Sequence, residues 1–277
     1  MRRRTSEARS GRGMAVKKNS SLQAGLGIFL LLFVCRVPGL HGQVVRSSDE
    51  LSGTVTYVYD GDTIKVRLES GKEKRVRLIG VDSPELNDPQ EPSRLVAFMA
   101  RRFVNWKLYQ KTVRMTRDKE EADAYGRLLA YVWTDDQTMF NETLVREGYA
   151  RAYLNYPFDE AVKTRLREAE AEARRAGRGL WREHPWDVVG AGEAGCRRGE
   201  VVTVRFLCAR MFERGRFIVL VPSEGNFEAV APRDVLTTFP GSIDFEKRTV
   251  EVTGLVEEFK GRPQIVIGLA AQVKAGV

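Results

Sequence analysis

Histidine is almost missing from this chain. Two of its 277 residues are His, and only His184 lies beyond the first 42. Cysteine is nearly as scarce, with three residues and no Cys-x-x-Cys pair. A Ser-His-Asp set or a thiolate/imidazole zinc site is hard to build from that inventory. A bound metal would have to be held by oxygen, which points to Ca²⁺ or Mg²⁺. Long hydrophobic runs are lacking too. The apolar run from Ala24 to Cys35 stops after twelve residues at Arg36, short of the roughly twenty that a spanning helix needs. Preceded by Arg2, Arg3, Arg4, Lys17 and Lys18, it reads as the core of a signal peptide over residues 1–42, with Met14 as an alternative start. Cleavage leaves an exported protein, periplasmic or extracellular, without stable membrane insertion; left uncleaved, the segment is an anchor. Excess charge of one sign is also absent from the rest. The formal charge is +8, but residues 1–42 hold eight of the 45 basic residues and one of the 37 acidic ones. Beyond Gly42 the chain is nearly neutral, so any anion-binding surface must come from local arrangement.

What is present centres on Arg77-Leu-Ile-Gly80-Val-Asp82-Ser83-Pro84-Glu85. Two carboxylates stand three residues apart, with a guanidinium five residues before the first. Pro84 fixes its own φ and pushes Ser83 to an extended conformation, which stiffens the turn. Two acids and an arginine on a rigid turn suit a divalent cation and a phosphate. Arg77 and Asp82 have opposite parity, so a regular strand would aim them at opposite faces. Sharing one site therefore requires the strand to end or bulge, and Gly80 is the expected place.

Around this stretch the pattern predicts a barrel. Gly53–Tyr59, Ile64–Leu68 and Lys74–Val81 alternate as strands, joined by turns at Asp60-Gly61-Asp62-Thr63 and Ser70-Gly71-Lys72. Ser93–Trp106 has helical spacing, with Ser93 as the expected N-cap. Thr112–Arg117 and Arg127–Trp133 read as two more strands, Asn141–Glu147 as a short helix, and Asp159–Ala176 as a longer one stopped by Gly177 or Gly179. Residues 50–186 thus form an α+β domain, a five-stranded barrel with three helices. Asp123 either supports the site or only caps its loop.

These residues resemble the staphylococcal (micrococcal) nuclease family. The resemblance is carried, in order, by Asp60-Gly-Asp62-Thr63, by the Arg77–Glu85 stretch, by Tyr125-Gly126-Arg127 with Leu129-Ala-Tyr131, and by Asn141-Glu-Thr-Leu-Val-Arg146-Glu-Gly148. It implies an OB-type barrel with helices and a Ca²⁺-dependent phosphodiesterase acting on DNA and RNA with little base specificity. The products are a 3′-phosphate and a 5′-hydroxyl. Asp62 and Asp82 would be carboxylate ligands of Ca²⁺, and the carbonyl of Ser83 a third ligand. Glu85 would activate water, while Arg77 and Arg127 would grip the phosphate. Tyr125 and Tyr156, or Tyr153 in place of the latter, would contact a terminal phosphate or stack on a base. Single strands would be preferred and the protein a monomer. Two departures bear on affinity: Leu86–Pro92 has no lysine, and Ala124 stands where the family often has one. The rival reading is a non-catalytic module of two barrels that holds single strands without cutting them.

Asp187–Gly199 is rich in Gly and Ala and reads as a flexible linker. Residues 200–277 hold five short strands and one helix, which predicts a second, mostly β, OB-like barrel. Its acidic and basic residues balance, leaving substrate binding and protein contact equally open. A Cys196–Cys208 disulfide is disfavoured, because an intervening strand holds the two apart.

Overall fold

The computed structural model describes residues 50–134, 138–239 and 244–276. The leader, and with it the expectation of export, lies outside them. Among the described residues no helix is long and apolar enough to cross a membrane.

Strands β1 (Glu50–Val58), β2 (Thr63–Leu68) and β3 (Glu73–Leu78) form the expected meander. Their alternation points Val55, Ile64, Val66, Val76 and Leu78 into one core. The chain then turns at Gly80, whose φ of +75° suits glycine. A Cβ there would stand 2.5 Å from Leu166 Cδ1 and 2.9 Å from Phe158. The regular strand therefore ends before the acids, as the parity argument requires. Strand β4 (Val81–Asp82) leaves the barrel to pair with β7 (Arg151–Ala152). Helix α1 (Glu91–Leu108) follows. Gln90 is its N-cap and Pro92 lies in its first turn, so Ser93 is inside the helix rather than capping it. Proline needs no N–H partner there and its φ is already helical, so it sets the start. Strands β5 (Thr112–Thr116) and β6 (Leu128–Trp133) complete a closed barrel in the order β1-β2-β3-β6-β5, with β3 and β6 parallel.

Helix α2 (Phe140–Arg146) is pinned by Asn141, which is fully buried. Its side chain accepts from Val132 N at 2.9 Å and donates to Ile79 O at 2.9 Å and Ala130 O at 3.3 Å. One amide thus ties the end of β3 to β6. Helix α3 (Glu160–Arg175) is capped by Asp159, which accepts from Ala161 N and Val162 N. Its apolar face buries Leu166, Ala169 and Ala173.

The segment read as a linker is not one. Strand β8 (Val188–Gly190) pairs parallel with β9 (Val201–Arg214), and Ala194 is buried in a 3-10 turn. The small residues that suggested flexibility let the chain lie against the second barrel, where the β9 edge takes up its backbone groups. That barrel continues with β10 (Phe217–Pro222), β11 (Glu228–Pro232), a short helix α4 (Arg233–Leu236), β12 (Thr249–Phe259), β13 (Arg262–Val266) and β14 (Val273–Ala275). The ring β9-β10-β11-β13-β12 closes through β12–β9 pairing, again with its third and fifth strands parallel. Both barrels therefore have the same topology. They meet where α1 packs on β12: Leu255 is buried in the first core, and Arg102 makes a bidentate pair with Glu257, its Nε 2.7 Å from Oε1. Cys196 is exposed and Cys208 buried, and both are free.

Candidate functional site

Asp62 closes the β1–β2 turn, where Asp60 accepts from its backbone N–H at 3.0 Å. Its carbonyl accepts from Leu78 N at 2.9 Å, which sets the turn against the end of β3. The Asp62 side chain is only 6% exposed. Its Oδ1 accepts from Thr63 Oγ1 at 3.0 Å, and its Oδ2 from Ser83 N at 2.9 Å. Arg77 Nη1 lies 3.0 Å from the same Oδ2. Burial nevertheless pushes the Asp62 carboxyl up to about 6; Arg77 opposes the rise and neighbouring Asp60 adds to it.

Arg77 is held from three sides. Nη1 donates to Val81 O at 2.8 Å and to Leu78 O at 3.3 Å, while Nη2 lies 3.7 Å from Asp82 Oδ1. The Gly80 turn makes this possible, because it folds Val81 and Asp82 back over the guanidinium. Asp82 itself is exposed. Arg127 arrives from the β5–β6 loop on a clamp made by Asp123. Asp123 Oδ1 accepts from Tyr125 N and Arg127 N, both at 2.9 Å, and Oδ2 accepts from Arg127 Nε at 2.7 Å. Burial alone would raise the Asp123 carboxyl, but these donors outweigh it and hold it below the usual carboxylate range. Arg127 Nη1 reaches Thr63 Oγ1 at 3.4 Å, joining this loop to the β1–β2 turn.

The two arginines and Asp82 line one cavity of about 350 Å³, together with Asp123, Tyr153 and Tyr156. Of the residues singled out in the sequence, the cavity brings together Arg77, Arg127, Asp82 and Tyr156. Asp62 and Ser83 lie buried behind Arg77. Glu85 does not line the cavity; it is exposed on the turn beyond Asp82, and its carboxylate has no hydrogen bond or ion pair among the described residues. Tyr125 is 86% exposed, outside the cavity lining, with the Arg127 guanidinium 5.5 Å from its ring centroid. The Tyr156 hydroxyl bonds to Glu120. Sequence reasoning left the role of Asp123 open. It missed Glu120 altogether.

An OB-type barrel with two guanidiniums and a carboxylate at one rim defines a site for a phosphate-bearing ligand. A family model described as "Staphylococcal nuclease homologue" matches residues 75–183. The chain is 36% identical over 159 residues to a thermonuclease of Staphylococcus intermedius, covering 56% of this chain and 93% of that protein. It is 39% identical over 140 residues to a thermonuclease of Staphylococcus hyicus, covering 50% and 79%. A third similarity is to an uncharacterized endonuclease of Escherichia coli, 34% identical over 165 residues, covering 57% and 92%. The chain belongs to the staphylococcal nuclease family.

Proposed function

We propose that the protein is a nuclease, an exported Ca²⁺-dependent phosphodiesterase cutting DNA and RNA with little base preference. One observation carries the reading: Arg77 and Arg127, fifty residues apart in sequence, line one cavity with Asp82 between the barrel rim and the β4–β7 pair. A phosphodiester already carries negative charge, so attack by water or hydroxide requires that charge to be offset. Each guanidinium presents parallel donors to phosphoryl oxygens, which lysine would not. Both arginines are fixed before substrate arrives, one by Asp62 and the Val81 carbonyl, the other by Asp123. Removing one such preorganised donor typically costs roughly 10²–10³ in rate. Glu85, on the turn that follows Asp82, is the general base of this reading and must swing toward the cavity to act. It takes a proton from water as the new P–O bond forms. The P–O5′ bond breaks, leaving a 3′-phosphate; the 5′-oxygen takes a proton from solvent water, and Glu85 returns its own to solvent.

The donor chemistry supports a calcium ion, although no cluster of three acidic side chains is preassembled among the described residues. The donor set is oxygen only, as a hard cation requires, and Asp62 and Asp82 already converge on one positive group, the Arg77 guanidinium. Asp62, Asp82 and the Ser83 carbonyl would hold it; when bound, it supplies charge neutralisation at the phosphate. The test is cleavage of single-stranded DNA with Ca²⁺ and with EDTA. The expected outcome is cleavage only with Ca²⁺, lowered by roughly 10²–10⁴ in Glu85→Gln with calcium affinity unchanged. Full activity in EDTA would refute the metal, and full activity in Glu85→Gln the base.

A further inference from the structure

Both barrels have one topology, so their connections can be matched. In the first barrel the site is built from the loop between strands one and two (Asp62) and the loop between strands four and five (Asp123 and Arg127), bridged by Arg127 and Thr63. In the second barrel the matching connections are the β9–β10 and β12–β13 hairpins. They converge as well. Arg214 on the first and Arg262 on the second both pair with the buried Glu228, Arg214 Nη1 at 2.9 Å from Oε2. Arg214 also lies 5.7 Å from the ring centroid of Phe259 on the second hairpin.

The surface around that junction is cationic and aromatic. Arg216 sits 5.1 Å over Phe217, and Lys260 5.4 Å over Phe259. Neither cation has an acidic partner among the described residues. Phe259 is 44% exposed, in a position where a buried face is not required by the core. The acids nearby are already matched: Glu213 by Arg233, Glu258 by Arg198, and Glu228 by two arginines at once. The neutral composition of this barrel therefore hides a local excess of positive charge at the two hairpin tips.

We propose that these tips, Arg214, Arg216 and Phe217 with Phe259, Lys260 and Arg262, form a second binding surface for single-stranded nucleic acid. Guanidinium and ammonium groups meet backbone phosphates, and the exposed Phe259 ring offers a base its face. The proposal rests on the nuclease reading, and it gives the second barrel the task of holding a strand of which the first barrel cuts one bond.

The test uses the full chain and a fluorescein-labelled thymidine oligomer of about 20 nucleotides, long enough to reach beyond a single barrel's usual site. Binding is measured in EDTA, so that no cleavage is needed. Phe259→Ala should weaken binding roughly tenfold. Arg216→Ala with Lys260→Ala should lower the slope of log affinity on log salt by about 1.4, near 0.7 for each lost phosphate contact. Cleavage of a dinucleotide by the same variants should equal that of the parent. Unchanged affinity and salt slope would overturn the proposal. So would equal weakening for polyglutamate, which has charge but no bases. If the nuclease reading alone fails, cleavage is absent in parent and variants while the binding losses remain. If this proposal alone fails, cleavage persists with no change in binding.

Discussion

Asp123→Asn separates positioning from loop capping. The asparagine keeps an oxygen able to accept from Tyr125 N and Arg127 N, but places an amide where Oδ2 now accepts from Arg127 Nε at 2.7 Å. Donor then faces donor. The loop loses one charge-assisted hydrogen bond, about 1–2 kcal/mol of stability at this partly buried site. Arg127, released from its orientation, should cost roughly 10- to 100-fold in kcat, part of what deleting a preorganised donor costs. The pH dependence has a definite sign. The Asp123 carboxyl is held below the usual range, so its stabilisation is complete above the unfolded carboxylate pKa of about 4. It fades as pH falls through the lower folded value. The variant should lose that part of the acid dependence. Steady-state kinetics beside urea denaturation measure both effects, and a cycle with Arg127→Ala isolates the coupling. In the Arg127→Ala background, Asp123→Asn should leave kcat unmoved. If Asp123→Asn lowers stability and leaves kcat intact in the parent, the clamp is a loop cap only and the positioning argument fails.

Gly80→Ala forces a Cβ toward Leu166 and Phe158 at a φ of +75°. It should destabilise by about 2 kcal/mol or more and lower activity, because Val81 and Asp82 can no longer fold back over Arg77; thermal melts and a cleavage assay report both. Asn141→Ala strips three buried hydrogen bonds between the end of β3 and β6. The expected loss is about 3 kcal/mol in urea denaturation, and a loss below about 1 kcal/mol would contradict it. Arg102→Ala leaves Glu257 buried on β12 without its partner. Burial already pushes that carboxyl up, with Arg102 opposing, so about 3 kcal/mol should go. Adding Glu257→Gln should return part of it.

The site was legible wherever chemistry and backbone geometry are written in the same few residues. Parity between Arg77 and Asp82 demanded a break, and glycine at position 80 supplied it. The turn that carries Asp62 was legible because an Asp-Gly turn between alternating runs is a local signal; the role given to Asp62 came from the family resemblance. The clamp on Arg127 was not, since a carboxylate four residues away in a loop grips a guanidinium only if the loop curls, and Tyr125 N and Gly126 N set that curl through Asp123. Strand β8 failed for a related reason. Three residues cannot announce a strand whose partner edge is supplied by the barrel itself. Ser93 lost the cap to a residue before the proline, because proline's fixed φ outranked a hydroxyl's weak preference. Charge counting failed most instructively. It is an average over a surface, whereas Glu228 shows that one buried acid can collect two arginines from hairpins far apart in sequence.

That contrast bears on the division of labour proposed for the two barrels. In the first, Asp62, Asp82 and Asp123 lie against the two arginines, while Glu85 is exposed on the turn beyond Asp82 with no ion pair among the described residues. A general base needs such a free carboxylate. In the second, Glu213, Glu228, Glu251, Glu257 and Glu258 are each paired with an arginine. A carboxylate committed to a guanidinium is a poor base, since protonating it would cost the pair. The hairpin tips are left with cations and rings, the groups on which the proposed strand binding rests. On the proposed reading, the same strand order would serve hydrolysis at one rim and strand binding at the other.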